Sequence, residues 1–177
     1  DGDLFFFLLF YPMGLCASSE SFEGANTAQG GLRAGSVGGG ADAAAAAIGG
    51  NALSSRVELF VSCAGLQNLD AHSKSDPFVV LEELSTGPGG TASWREIGRS
   101  EIVVNSLAPA FVKRFRYTYK FEENQRIRCR VFDADDDSAD TKTLVLARQD
   151  AAGQTPPMYL ADVVNGVNQT KTVGLEG

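Results

Sequence analysis

The sequence is short of cysteine, histidine and basic charge, and each shortage excludes something. Three Cys in 177 residues are too few, and odd in number, for a disulfide-built scaffold. A single His, His72, argues against a histidine-rich metal site and a His-based triad. Lys plus Arg number 15 against 22 Asp plus Glu, for a net charge of −7 and a pI near 4.7. A general nucleic-acid binder needs a basic footprint, so that class falls away. No apolar run approaches the roughly 20 residues of a membrane-spanning helix. What is present is 44% hydrophobic residues at single-domain length, enough for a real core. The acids are also unevenly placed. Seven fall in two short segments, and the other 15 equal the 15 bases.

The chain divides into three by composition. Residues 1–12 are acidic at Asp1 and Asp3, then apolar from 4 to 11. A secretory signal places positive charge ahead of its apolar run, and none is there. The expectation is therefore translated sequence upstream of the domain, with Met13 as initiator; a cleaved signal is the competing reading. Residues 13–53 hold ten of the 20 Gly, five consecutive Ala and one aromatic, Phe22. Such a segment buries too little apolar surface to offset its ordering entropy, and reads as a disordered tail.

From residue 54 to 177 the pattern is β. Val57, Leu59, Val61 and Cys63 alternate with Glu58, Phe60 and Ser62. Further runs are predicted over 77–84, closed by the turn residues Gly87-Pro88-Gly89-Gly90, then 94–104, 111–121 and 125–132. The pattern is weaker after about residue 142, where a helical turn is expected at 162–164 and a short strand at 171–175. Short strands about ten residues apart predict an all-β antiparallel sandwich. Cys63 and Cys129 fall on apolar strand faces and are expected to be buried core residues.

The two acidic segments sit between strands. In the first, Asp70 and Asp76 bracket a polar loop. In the second, Asp133, Asp135, Asp136, Asp137 and Asp140 crowd eight residues. Carboxylates so close repel one another, and a hard divalent cation relieves that repulsion. Residues two apart on a strand share a face, so Asp133 and Asp135 can meet one ion. The bland alternative is a solvated acidic loop. An EF-hand fails, because Ser138 and Leu144 stand where that loop needs Gly and Glu. A phosphatase-type Asp133-Ala134-Asp135 nucleophile lacks the repeated helices of a βαβ sheet, so no enzyme is expected.

These residues resemble a known family. Asn68-Leu69-Asp70, Lys74-Ser75-Asp76-Pro77-Phe78-Val79-Val80 and Val131-Phe132-Asp133-Ala134-Asp135 look like the calcium-binding loops of a C2 domain. Arg99-Ser100-Glu101-Ile102-Val103-Val104-Asn105-Ser106-Leu107-Ala108-Pro109 is similar to the first C2 domain of copines, the plant Bonzai members in particular. The resemblance covers residues 54 to about 140 well. It implies an eight-stranded C2-type β-sandwich, incomplete at its C-terminus. It also implies two or three Ca²⁺ ions held by Asp70, Asp76, Asp133 and Asp135, with Asp140 as the candidate fifth ligand. The last third-loop ligand falls at Thr141, with the fifth acid, Asp140, one position away. The stretch matching the next family strand, 150–157, contains Pro156 and Pro157, and prolines do not sit in a central strand.

Met13-Gly14-Leu15-Cys16-Ala17-Ser18 fits a myristoylation pattern at Gly14, with Cys16 beside it as a palmitoylation candidate. One acyl chain binds a membrane only marginally, so a second signal is required. Lys113, Arg114 and Arg116 with Arg126, Arg128 and Arg130 are expected to form a basic strip on one sheet face; with Lys74, they would contact anionic lipid. The competing reading is an ordinary solvated face. Together the residues and the resemblance imply a non-catalytic, calcium-dependent phospholipid-binding module. It would act at the cytosolic face of the plasma membrane, in trafficking, growth and defence signalling. The alternative is a lipid-anchored interaction domain indifferent to calcium.

Overall fold

Alternation decides the strands, and burial shows which face each one turns inward. In the strand spanning 54–64, Val57, Leu59, Val61 and Cys63 are buried while Phe60 and Ser62 are half-exposed. The computed structural model describes residues 2–11, 54–87, 89–136 and 140–177. The whole Gly/Ala-rich tail 13–53, with Gly14 and Cys16, therefore lies outside the described residues. The strands are β1 (Asp3–Tyr11), β2 (Ser54–Ala64), β3 (Pro77–Thr86), β4 (Ala92–Arg99) and β5 (Phe115–Lys120). They continue with β6 (Arg126–Asp133), β7 (Asp150–Gln154), β8 (Met158–Tyr159) and β9 (Thr170–Gly174). A short α-helix, α1 (Leu160–Val164), follows β8. Every strand pairing is antiparallel.

The strands form two sheets, one ordered β5-β2-β1-β9 and the other β4-β3-β6-β7, with β8 also on β6. The main core lies between them and takes Val57, Leu59, Val61 and Cys63 from one side. Val79, Leu81, Ile127, Cys129 and Val131 come from the other. β3 is also covered on its far face, where Phe78 and Val80 pack with Phe132, Ala134, Leu144 and Leu146. Burial on both faces explains why residues 77–81 read as an unbroken apolar run rather than an alternation.

Three differences from the sequence expectation have physical causes. Residues 3–11 are not apart from the sandwich. They pair along β2 from Asp3↔Ala64 to Tyr11↔Arg56, and along β9 from Asp3↔Gly174 to Phe7↔Thr170. An apolar segment of strand length satisfies the backbone groups that β2 and β9 would otherwise leave open. The third and fourth runs are shorter than predicted. β4 ends at Arg99, and β5 begins only at Phe115 because the Glu101 carboxylate takes the amides of Val112 and Lys113, which a strand would pair. The stretch 150–157 does form a strand. β7 stops at Gln154, on the edge of its sheet, so Pro156 and Pro157 fall beyond it.

Cys63 and Cys129 reach the same core from opposite sheets, both as free thiols. Burial pushes the Cys63 thiol up to about 12, and pushes Cys129 up as well. At pH 8 only about one Cys63 in 10⁴ would be thiolate, the reactive form. With Cys16 replaced by Ser, Ellman's reagent should titrate no thiol in native buffer and two in denaturant; prompt native reaction would contradict this packing. The folded value lies above the ordinary 9.0, so this contribution to stability is complete below pH 9 and is lost as pH rises toward 12.

Candidate functional site

The first acidic loop is shaped by its own polar side chains. Asn68 Oδ1 accepts the Ser75 amide at 3.0 Å, and Asn68 Nδ2 donates to the Ser73 carbonyl at 2.9 Å. The Leu69 amide donates to the buried Ser75 Oγ at 2.9 Å. These closures hold the loop without a regular element, as Asn and Ser commonly do. Asp70 is exposed and accepts the Ser73 hydroxyl at 2.9 Å. Asp76 is half-buried at the point where the loop enters β3.

The two acidic loops meet at the strand ends. β3 and β6 pair so that Pro77 lies opposite Asp133. Asp133 is buried, and its Oδ1 accepts the Asp76 amide at 2.6 Å. The Ala134 amide returns to the Asp76 carbonyl at 3.2 Å. Residues 57 positions apart in sequence are thus joined by register. Asp135 is exposed, and its amide donates to Gln149 Oε1 at 3.3 Å. Asp140 opens a turn, its carboxylate accepting the Lys142 amide and its carbonyl accepting Thr143. Thr141, the position eight after Asp133, is buried and donates its hydroxyl to the Ser100 carbonyl at 2.7 Å. In this arrangement the Thr141 side chain faces the fold rather than the acidic pole.

Two residues hold this pole that the sequence placed within the copine-like run 99–109 without a role of their own. Asn105 has φ of 56°, a left-handed conformation that Asn tolerates better than most residues. Its amide donates to Asp76 Oδ1 at 2.6 Å, and its Oδ1 accepts the Lys74 amide at 3.3 Å. Arg99 clamps Glu96 with Nε and Nη2 and sends Nη1 to the carbonyls of Thr141 and Leu144, both at 2.7 Å. The run 99–109 signalled a family likeness, but nothing in its spacing tells that Asn105 and Arg99 reach the two acidic loops.

The six bases do not make one strip. Arg116 lies on β5 and Arg114 just before it, in one sheet, whereas Arg126, Arg128 and Arg130 lie on β6 in the other. Arg114 and Arg116 flank the buried Glu58 at 3.3 and 3.2 Å. Arg128 and Arg130 flank Glu82, and their guanidiniums stand over Trp94 and Phe132. Arg126 stands over Tyr159. Lys74 and Lys113 are exposed. Sequence periodicity gives spacing along one strand but not sheet membership, so it merged two patches.

The structure instead opens a groove of about 1270 Å³ between the edge strands β4 and β5. It is lined by Arg95, Arg114, Arg116 and Lys120, with Glu58, Glu83 and Tyr117 among them. Arg95 and Tyr117 both engage Glu83. Burial, then the Glu83 contact, pushes the Tyr117 hydroxyl well above its usual value, so it stays a neutral donor.

The Asp side chains of the acidic pole offer carboxylate oxygen, the donor chemistry of a hard cation. Asp76 and Asp133 are in contact, with Asp70 and Asp135 on the same two loops. Among the described residues no three His, Cys, Asp or Glu side chains gather into a finished cage. The donor type fits calcium, and Asp76 and Asp133 are the pair already placed.

A C2 domain family model matches residues 56–154. Protein BONZAI 1 of Arabidopsis thaliana is 34% identical over 128 residues, 71% of this chain and 21% of that protein. Protein BONZAI 2 of the same plant is 36% identical over 171 residues, 89% of this chain and 27% of that protein. Nicotinic receptor-associated protein 1 of Caenorhabditis elegans is 39% identical over 91 residues, 45% of this chain and 14% of that protein. The chain thus spans about a quarter or less of the length of these relatives. The likeness to the Bonzai copines read from the motifs is borne out.

Proposed function

The chain belongs to the C2 domain family, and from that premise we propose that it is a non-catalytic module binding anionic membranes in response to calcium. The observation that carries this reading is the bond from the Asp76 amide to Asp133, which joins the two acidic loops at one pole. Asp76 and Asp133 would hold the cation, with Asp70 and Asp135 completing its charge balance. Bound calcium would supply positive charge and open coordination positions to phosphate oxygen. The chain's own part is to fasten the Asp133 carboxylate to the Asp76 backbone, and to carry Lys74 on the first of the two loops. The groove between β4 and β5 supplies further cationic side chains for anionic head groups, each worth about 1 kcal/mol near a membrane surface. Lipid attachment at Gly14 and Cys16 would add the second anchoring signal. The reading puts the module at the cytosolic face of the plasma membrane, in the trafficking, growth and defence signalling that the resemblance to copines implies.

The test is co-sedimentation with phosphatidylserine liposomes, with calcium or with chelator. Calcium should move the chain into the pellet, and Asp76→Asn with Asp133→Asn should leave it in the supernatant. Equal binding by the double variant would overturn the calcium reading. If an acylated chain then pellets in chelator but fails with Gly14→Ala, the calcium-indifferent anchored domain is the correct one. Asp140 engaged in its own turn and Thr141 turned inward are the observations that favour that second reading.

A further inference from the structure

Both acidic loops are attached to the same short segment, at its opposite ends. At the start of residues 99–106, Arg99 Nη1 holds the carbonyls of Thr141 and Leu144, and the Ser100 carbonyl accepts the Thr141 hydroxyl. At the end, the Asn105 amide holds Asp76 Oδ1 and the Ser106 amide holds the Ser75 carbonyl at 3.0 Å. Between these ends the segment is fastened along β3. The Ser100 amide donates to the Val79 carbonyl at 2.8 Å, the Val79 amide to Ser100 Oγ at 2.8 Å, and the Val103 amide to the Pro77 carbonyl at 3.0 Å. Ile102 packs into the outer apolar cluster, beneath the loop that carries Leu144 and Leu146. A segment so fastened has little freedom to let one end move alone.

We propose that residues 99–106 are a positioning strap that couples the two acidic loops, so that the first loop and the base of the second are ordered together before any cation arrives. Asn105 and Arg99 are its positioning residues. The coupling rests on the apo geometry alone; its consequence for calcium rests on the function proposed above. A preformed pole spends less of the binding free energy on ordering loops.

The test is amide hydrogen exchange on the whole chain without calcium. Asn105→Val puts a β-branched residue at a positive φ, which drives the backbone out of that conformation and withdraws its amide from Asp76. Exchange at Thr143 and Leu144, at the far end of the strap, should speed up about tenfold or more. Asn105→Gly keeps the left-handed backbone and should leave those amides within about twofold. If Asn105→Val disturbs only residues 74–76, the coupling is refuted. Should that variant also lose protection at Ile127 and Cys129, Arg99→Gln decides from the other end. It should speed exchange at the Asp76 amide about tenfold, and no change there refutes the strap. Calorimetry separates the two ideas. With the carboxylates intact, Asn105→Val should lower calcium affinity by on the order of tenfold. A wild-type chain that takes up no calcium overturns the cation reading and leaves the exchange data to judge the strap.

Discussion

Phe132→Ala is expected to lower the unfolding free energy by about 3–5 kcal/mol, the largest stability effect of any change considered. Phe132 is essentially inaccessible, and its ring stacks on Phe78 with centroids 5.6 Å apart. Val80, Ala134, Ile102, Leu144 and Leu146 complete the cluster. The Arg130 guanidinium covers the ring at 4.7 Å and shields it from water. Truncation leaves a cavity that rigid sheet neighbours cannot collapse to fill. The effect should reach the acidic pole, because Leu144 and Leu146 lose the floor they rest on. Urea unfolding should show a lower midpoint at an unchanged slope, and exchange should quicken at Leu144 more than at Cys129. A loss below about 1 kcal/mol would mean that this face of the second sheet carries no core of its own.

Asp133→Asn should reduce calcium-dependent liposome binding far more than Asp140→Asn. Asp133 is buried at the junction of the loops and already touches the Asp76 backbone. Removing its charge weakens the cation site at its centre, where calcium affinity depends on the count of anionic oxygens. The calcium needed for half-maximal sedimentation should rise by on the order of 100-fold. Asn keeps the side-chain oxygen that accepts the Asp76 amide, so the fold should hold and the loss should be one of charge. Asp140 sits in a turn of its own, and Asn can accept the Lys142 amide as well as Asp does. Its replacement should shift the midpoint by no more than about twofold. The reverse order of effects would place the cation against Asp140 and away from the strand junction.

Much of this was legible in the chain itself. The alternation through residues 57–63 placed β2, and Gly87-Pro88-Gly89-Gly90 marked the turn after β3, because periodicity and turn chemistry are local properties. The crowding of Asp133, Asp135 and their neighbours pointed to a hard cation, since charge density is also read directly from spacing. Where the reading went astray, a non-local fact was missing. Residues 3–11 looked like an appendage because nothing in an apolar run tells which open strand edges it will meet. Pro156 and Pro157 seemed to damage a strand that in fact ends before them.

The sequence by itself determined the fold class, the apolar stock of the core and the residue types at the acidic pole. Each of these depends on composition or on neighbours a few positions away. Only the tertiary structure decided that Asp76 meets Asp133, that Arg116 and Arg128 belong to different sheets, and that Asn105 and Arg99 hold the loops from behind. Those are matters of strand register and sheet membership. They are set by which long-range pairing buries most apolar surface while leaving no backbone group unpaired, and that condition has no local signature.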